Sequence, residues 1–538
     1  MTDIGSLNFL WSQTMIAGFS AAGVTHAVIS PGSRSTPLAL AMLRQTELKC
    51  TVAIDERSAA FFALGIAKAS RRPVLILATS GTAPANWLPA AIEASQAAVP
   101  LILISADRPP ALQGCGANQT VNQIDLFGQH VRASHVLGLP EQGFDPAYLR
   151  RLTACIYEQS TGLLPGPVHI NQPFCEPLLP TGELPPVMVP KSIRMLDVPS
   201  NHREGLDLSS VAKAISGRPG FIVCGQLDKS IGFPEAVTDL AQKLNCPVFA
   251  EPLSGLRFGL HQLKHLCVHY NRWLGWSDDA LPNRPEWIIR IGDYPVTRNL
   301  QNLLGKSAEV HALIEPRPRW TDPANNLSHV IRADPAAVCQ SLSMLVTAPC
   351  PDEWFEQFNQ LEQAVSGPAQ AWHIPALIDS VDANAIIFVG NSLAIRNFDS
   401  DSGKSNKPLF IYANRGASGI DGNIATTCGL AEIHGGAIAL IGDLTAQHDI
   451  GSLALTQGRN IIVIVINNGG GGIFDYLPQS QLPEFEQGWR TPQAIEFRHA
   501  ALCFGLSYHR SDNAETFASA IVEAQAMGGA HLIELLIN

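Results

Sequence analysis

At 538 residues the chain is too long for a single hydrophobic core, and three domains fit that length. Hydrophobic residues make up 46% and charged residues 15%, an ordinary globular balance. The net charge of −11 argues against non-specific nucleic-acid binding, so an anionic ligand would have to be met by a local arginine cluster. The 11 cysteines are scattered with no CxxC pair, and MTDIGSLNFLWSQ at the N-terminus has no basic segment. A reduced, cytoplasmic protein is expected. No apolar run approaches about 18 residues, so no membrane span is expected.

Taken in order, residues 7–22 carry apolar side chains at helical spacing. Residues 24–29 read as a strand, followed by the loop SPGSRSTP, whose Pro37 suits the first turn of a helix. Residues 52–54 read as a short strand, and Asp55 leads into an alanine-rich helix ending near Ala69. Strands at 74–78 and 101–105 end in TSGTA and ADRPP. The polar stretch 108–123 is a long ordered loop at strand ends, a setting that more often carries function than not. A proline-rich linker is expected over 173–199. Further strands are expected at 220–224, 247–250, 287–291 and 311–314. A third set begins near Ile374, with strands at 385–389, 409–412, 437–441, 461–466 and 531–536. The first and third regions share one β-α rhythm. The alternation predicts an α/β chain of three domains, each a parallel sheet flanked by helices, divided as 1–185, 186–350 and 351–538.

The densest chemistry lies between Gly442 and Phe474. The apolar run 437–441 ends in Gly442-Asp443, a helix-length segment covers 451–456, and the β-branched run 461–466 ends in Asn467-Asn468 and four glycines. Strand, crossover and strand make a parallel unit, and ligands gather at the carboxyl ends of such strands, where Asp443 and Asn468 stand. A carboxylate, an amide oxygen and a main-chain carbonyl in the glycine run are hard ligands suited to octahedral Mg²⁺, which keeps positions for phosphate oxygens. Residues 469–472 let the backbone approach a diphosphate closely. For Gly-Asp alone, a strand-end carboxylate beside a turn is the plainer reading; the whole pattern together outweighs it.

Glu56 follows a strand and opens an apolar helix, where burial would raise its pKa and keep it protonated near neutrality. The plain alternative is a helix-start glutamate held by the dipole. Five arginines stand at strand ends or in loops: Arg34, Arg108, Arg298, Arg396 and Arg415. Any one could be a surface ion pair. Five in such places suggest a site for di-acids, because a guanidinium grips a carboxylate through two parallel hydrogen bonds.

The Gly-Asp to Asn-Asn pattern resembles the signature of thiamine-diphosphate enzymes, and DERSAAFFALGIAKAS resembles their activator-glutamate segment. GDL followed by NNGGGGIF, with SPGSRSTP, TSGTA, ADRPP, CGANQ, VGNSL and NRGASGID in order, resembles the menaquinone-pathway MenD family over the whole chain. Leu444 replaces the usual third-position glycine of the general signature, and Gly469 stands where that family usually has a third asparagine.

The resemblance implies a thiamine-diphosphate-binding fold with pyrimidine-binding, central and diphosphate-binding domains. It implies decarboxylation of 2-oxoglutarate and addition of the resulting carbanion to isochorismate. Glu56 would activate the cofactor. Asp443, Asn468 and the Gly470 carbonyl would hold Mg²⁺ or Mn²⁺, and Ile420 and Ile473 would pack the cofactor. Ser33, Arg34, Arg108, Asn118, Gln119, Arg298, Ser392, Arg396, Arg415, Ile473, Phe474 and Leu477 would contact substrates. Members of that family often have Lys at the place of Arg298, which keeps the charge but not the geometry. The resemblance also implies a homo-oligomer, dimer or tetramer, with active sites between subunits. Another thiamine-diphosphate carboligase or decarboxylase acting on a different 2-oxo acid, and a binding protein on the same fold, are the alternatives.

Overall fold

The computed structural model describes residues 3–182, 193, 206–227, 230–276, 284–306, 308–365 and 369–537. It contains three six-stranded sheets whose paired strands are parallel. The first holds β1 His26–Ile29, β2 Lys49–Val52, β3 Val74–Ala78, β4 Leu101–Asp107, β5 Ala133–Val136 and β6 Pro167–Pro173, in the order 2-1-3-4-6-5. The second holds β7 Gly220–Cys224, β8 Val248–Ala250, β9 Leu266–Cys267, β10 Trp287–Ile291, β11 Val310–Ile314 and β12 His329–Ile331, in the order 12-11-10-7-8-9. The third holds β13 Ile386–Val389, β14 Phe410–Tyr412, β15 Ala437–Gly442, β16 Ile461–Asn467, β17 Ser507–Ser511 and β18 Ala530–Leu536, in the order 14-13-15-16-18-17. The first and third sheets therefore share one topology. Among the described residues no helix is long and apolar enough to cross a membrane.

Central strands are continuous apolar runs because helices cover both faces of each sheet; all residues of β3 and β10 are buried. The helix Glu56–Ser70 starts where the Asp55 side chain accepts from the Arg57 and Ser58 N–H groups, and it buries 58–67 continuously. It needs that burial because it crosses the helix Asn423–His434 of the third region. A Cβ on Gly65 would lie 2.1 Å from the Thr426 carbonyl oxygen, and one on Gly429 2.1 Å from that of Phe62. The two helices touch backbone to backbone, and the first and third sheets share one hydrophobic core.

Two expectations need correction. The strand read at 52–54 lies at Lys49–Val52, because pairing with β1 matches His26 to Lys49 and Ile29 to Val52; Ile54 beyond it is 87% exposed. The third segment was expected to start at 351, yet the helix Asp352–Ala364 belongs to the second layer. Its Trp354 and Phe358 are buried with Phe249 and Trp273, and Trp354 Nε1 donates to the Gly220 carbonyl at 2.7 Å. The expected linker lies outside the described residues from 183 onward, residue 193 apart, and its first residue, Pro173, closes β6.

Candidate active site

In the first and third sheets the strand order reverses beside the second strand in line, and the crevice at such a reversal is the place for a ligand. In the first sheet it lies between β1 and β3, whose ends carry the Ser33-Arg34 loop and Ser80. In the third it lies between β13 and β15, whose ends carry Asn391-Ser392 and Asp443.

Asp443 begins the short helix Asp443–His448, which a 3-10 turn, Ile450–Thr456, follows; the helix-length segment read at 451–456 is that 3-10 turn, and the α-helix before it went unread. The Asp443 carboxylate is buried, accepting from the N–H of Gly470 and of Leu444, each at 2.7 Å. Burial raises its pKa despite those bonds and the nearby Arg490. The charge is thus under-compensated by the chain, as a carboxylate awaiting a cation would be. Among the described residues no three His, Cys, Asp or Glu side chains cluster as a metal site. A cation here would therefore depend on one carboxylate with amide and carbonyl oxygens, a donor set that suits Mg²⁺.

The two asparagines have separate surroundings. Asn467 donates to Glu534 at 2.7 Å, whereas Asn468 lies against the glycine run. A Cβ on Gly472 would lie 2.5 Å from Asn468 Nδ2, and one on Gly470, at φ +126°, 2.2 Å from the Arg490 carbonyl oxygen. Arg490 also donates to the Asn468 carbonyl at 2.6 Å. The glycines thus admit the crossing segment Glu486–Arg490, a structural demand that the sequence pattern did not reveal.

The five arginines separate into two pairs and one single. Arg34 is buried, donating to the Phe174 carbonyl at 3.0 Å and to Glu176 at 2.7 Å. Arg108 donates to the Ser80 hydroxyl, and its pKa is lowered by burial and then by the facing Arg34. Gln119, at φ +54°, donates to the Ser80 carbonyl at 2.9 Å; Asn118 and Ser33 are exposed beside them. The loop 108–123 is anchored by a buried network. Gln123 accepts from the Gly81 N–H at 3.0 Å and donates to Asn171, which donates to Asp107, with the last two bonds at 2.8 Å.

On the third sheet, Arg415 donates to Asn391 at 2.7 Å, and Arg396 donates to the Ser392 carbonyl at 2.7 Å. Burial lowers the pKa of both; at Arg415 the charge of Glu251 opposes that lowering and the charge of Arg396 adds to it. Ser392 holds φ +64°, a costly conformation for a non-glycine residue, at the end of β13. Glu93 of the first region fixes the Arg415 loop by accepting from the N–H of Gly416 at 3.0 Å and of Ala417 at 2.6 Å. Arg298 opens the helix Arg298–Gly305 of the second region and is exposed.

Glu56 is only half-buried, so the enclosure expected for it is not supplied by its own chain. Its neighbours meet the far end of the Asp443 helix instead. Arg57 pairs with Asp449 at 3.0 Å, and Ser452 donates to Ser58 at 2.8 Å. The helix Asp443–His448 thus lies between Asp443 and the contacts made by the residues next to Glu56. Ile420 is exposed; Ile473, Phe474 and Leu477 are half-buried in and after the 3-10 turn Gly472–Tyr476. Sequence reading missed Ser80, Gln123, Asn391 and Glu93. Ser80 and Asn391 lay inside quoted motifs and Gln123 closed the loop singled out at 108–123, whereas Glu93 gave no local signal.

The thiamine pyrophosphate enzyme N-terminal TPP binding domain matches residues 11–126, and the corresponding C-terminal TPP binding domain matches 403–535. The chain is similar to proteins named 2-succinyl-5-enolpyruvyl-6-hydroxy-3-cyclohexene-1-carboxylate synthase. It is 58% identical to that of Dechloromonas aromatica over 535 residues, 99% of each chain. It is 36% identical to that of Geobacillus kaustophilus over 98% of this chain and 94% of the relative. For that of Salinibacter ruber the identity is 34%, over 99% and 94%.

Proposed function

The chain belongs to the 2-succinyl-5-enolpyruvyl-6-hydroxy-3-cyclohexene-1-carboxylate synthase family of thiamine-diphosphate enzymes, and on that premise we propose that it decarboxylates 2-oxoglutarate and adds the resulting carbanion to isochorismate. The observation that carries the choice of substrates is the two arginine pairs, Arg34 with Arg108 and Arg396 with Arg415, at the reversal points of the two matching sheets. A small apolar 2-oxo acid has one carboxylate and would leave most of this charge unmatched.

When bound, thiamine diphosphate supplies the carbanion-stabilising centre that makes loss of CO₂ feasible. Asp443, Asn468 and the Gly470 carbonyl would hold Mg²⁺ or Mn²⁺ against the diphosphate, and Ile420 and Ile473 would pack the cofactor. Glu56 would hold a proton at the pyrimidine nitrogen. Arg396, Arg415 and Ser392 would orient one di-acid. Arg34, Arg108, Ser33, Asn118 and Gln119 would orient the other substrate end, with Phe474 and Leu477 excluding water. Arg298 is a candidate contact from the central domain.

The site is proposed to form between two subunits of a homodimer, or of a homotetramer built from two such dimers. Supporting this, Val52 and Ile54 leave an uncovered apolar surface beside Glu56, and Glu56 itself is only half-buried within its own chain. A cytoplasmic enzyme with small-molecule substrates and no nucleic-acid partner fits the same reading. The test is CO₂ release from 2-oxoglutarate and from pyruvate, with and without isochorismate. Release from 2-oxoglutarate, with consumption of isochorismate, is expected. Preference for pyruvate would overturn the substrate assignment.

A further inference from the structure

We infer that Glu251 is a positioning residue for substrate binding, tying the central loop that precedes Arg298 to the junction that carries Arg396 and Arg415. The inference rests on the functional reading above and adds a residue to it. Glu251 directly follows β8 and is 2% exposed. Its Oε1 accepts the Val296 N–H at 2.6 Å, two residues before Arg298 begins its helix.

The neighbouring Ala250 carbonyl accepts from Arg257 Nε at 2.7 Å. Arg257 is wholly buried and donates onward to the Asp399 carbonyl at 2.7 Å, to Ser402 at 3.0 Å and to Asp399 Oδ1 at 2.5 Å. The Tyr270 hydroxyl donates to the same Asp399 oxygen at 2.6 Å. Asp399 lies on the helix Leu393–Asp401, one turn beyond Arg396. Glu251 and Arg415 also line one cavity of about 440 Å³. Glu251 thus holds the main chain ahead of Arg298, the adjacent Ala250 carbonyl reaches the helix of Arg396 through Arg257 and Asp399, and Arg415 shares the Glu251 cavity.

The Val296 bond needs only an acceptor, so a carboxyl group is more than packing requires. Burial and the nearby Asp399 push the Glu251 pKa up to about 8, against the pull of Arg257 and Arg415. The groups around it are Arg257 in the following turn, Asp399 on the packed helix and Arg415 on its loop. Across the cavity stand Asp293, Tyr294 and Arg319. Below that pH, Glu251 is a neutral acceptor and leaves the Arg415 charge to a substrate carboxylate. Above it, an ionised Glu251 competes for Arg415, so KM should rise with alkaline pH.

The experiment is steady-state kinetics of the holoenzyme with 2-oxoglutarate and isochorismate, at pH values on both sides of 8, for wild type, Glu251→Gln and Glu251→Leu. Glu251→Leu should raise KM for at least one di-acid about tenfold, with kcat within about threefold. Glu251→Gln should recover the KM at neutral pH and lose the alkaline rise. Thiamine diphosphate affinity should stay at the wild-type value in both. The inference is overturned by a wild-type KM in Glu251→Leu, by an alkaline rise that persists in Glu251→Gln, or by a loss of cofactor affinity that matches the KM change. If Glu251→Leu fails to fold, the pH profile of Glu251→Gln decides alone. A wild-type enzyme inactive on these substrates would overturn the functional reading itself, an outcome distinct from any of these.

Discussion

Asp443→Asn should leave the cofactor-free protein nearly as stable as wild type while abolishing metal-dependent thiamine diphosphate binding. In the free protein each carboxylate oxygen accepts one main-chain N–H, from Leu444 and from Gly470. Asparagine can satisfy only one of them, a loss of about 1 kcal/mol. Set against this is the burial that already raises the Asp443 pKa. A raised carboxylate pKa means that ionisation disfavours the folded state once the pH climbs from the unfolded value through the folded one, and asparagine removes that penalty. The two effects oppose, so apo stability should stay within about 1 kcal/mol of wild type at neutral pH. With Mg²⁺ and cofactor the balance inverts, because the cation loses its only anionic protein ligand. Truncating such a charged pair costs roughly 2–5 kcal/mol, which weakens binding roughly 30-fold to several-thousand-fold. Thermal unfolding with and without both ligands reads this directly. Wild type should be stabilised by about 2.7 kcal/mol at about 100 times Kd, and the variant by no more than about 0.9 kcal/mol at the same concentrations. A full ligand-induced shift in Asp443→Asn would remove this residue from the metal site. An apo protein weakened by several kcal/mol would show that its charge serves the fold.

Glu56→Gln should bind cofactor and metal normally yet fail to exchange the cofactor's C2 proton, because an amide cannot trade a proton with the pyrimidine; exchange at the wild-type rate, followed by NMR, would withdraw the assignment. Arg396→Ala and Arg415→Ala should each raise KM for one or both di-acids by an amount equivalent to about 2–5 kcal/mol while leaving the melting temperature close to wild type; unchanged kinetics would return both to structural ion pairing. Mixing Glu56→Gln and Asp443→Ala chains, each inactive alone, should restore about a quarter of wild-type activity. Half of randomly paired dimers are mixed, and each mixed dimer has one site of its two intact. Verified mixed dimers without activity would place each site within a single chain.

The sequence by itself determined the α/β class, most of the central strands, the Gly-Asp to Asn-Asn pattern and the family. These are local signals: β-branched runs such as 461–466 and 287–291 report burial on both faces, and a cofactor motif is read within a few dozen residues. It read neither β5, β12 nor β17, whose partly polar or short sequences become strands only because β6, β11 and β18 offer a paired edge. Only the tertiary structure decided how the arginines group, because Arg34 meets Arg108, and Arg396 meets Arg415, through strand order rather than spacing. It alone showed that the helix Asp352–Ala364 belongs to the central core and that Glu93 holds a loop more than three hundred residues away. It also left Glu56 half-open beside exposed Val52 and Ile54. Burial is a property of what packs around a residue, and a sequence pattern cannot say whether that covering comes from the same chain.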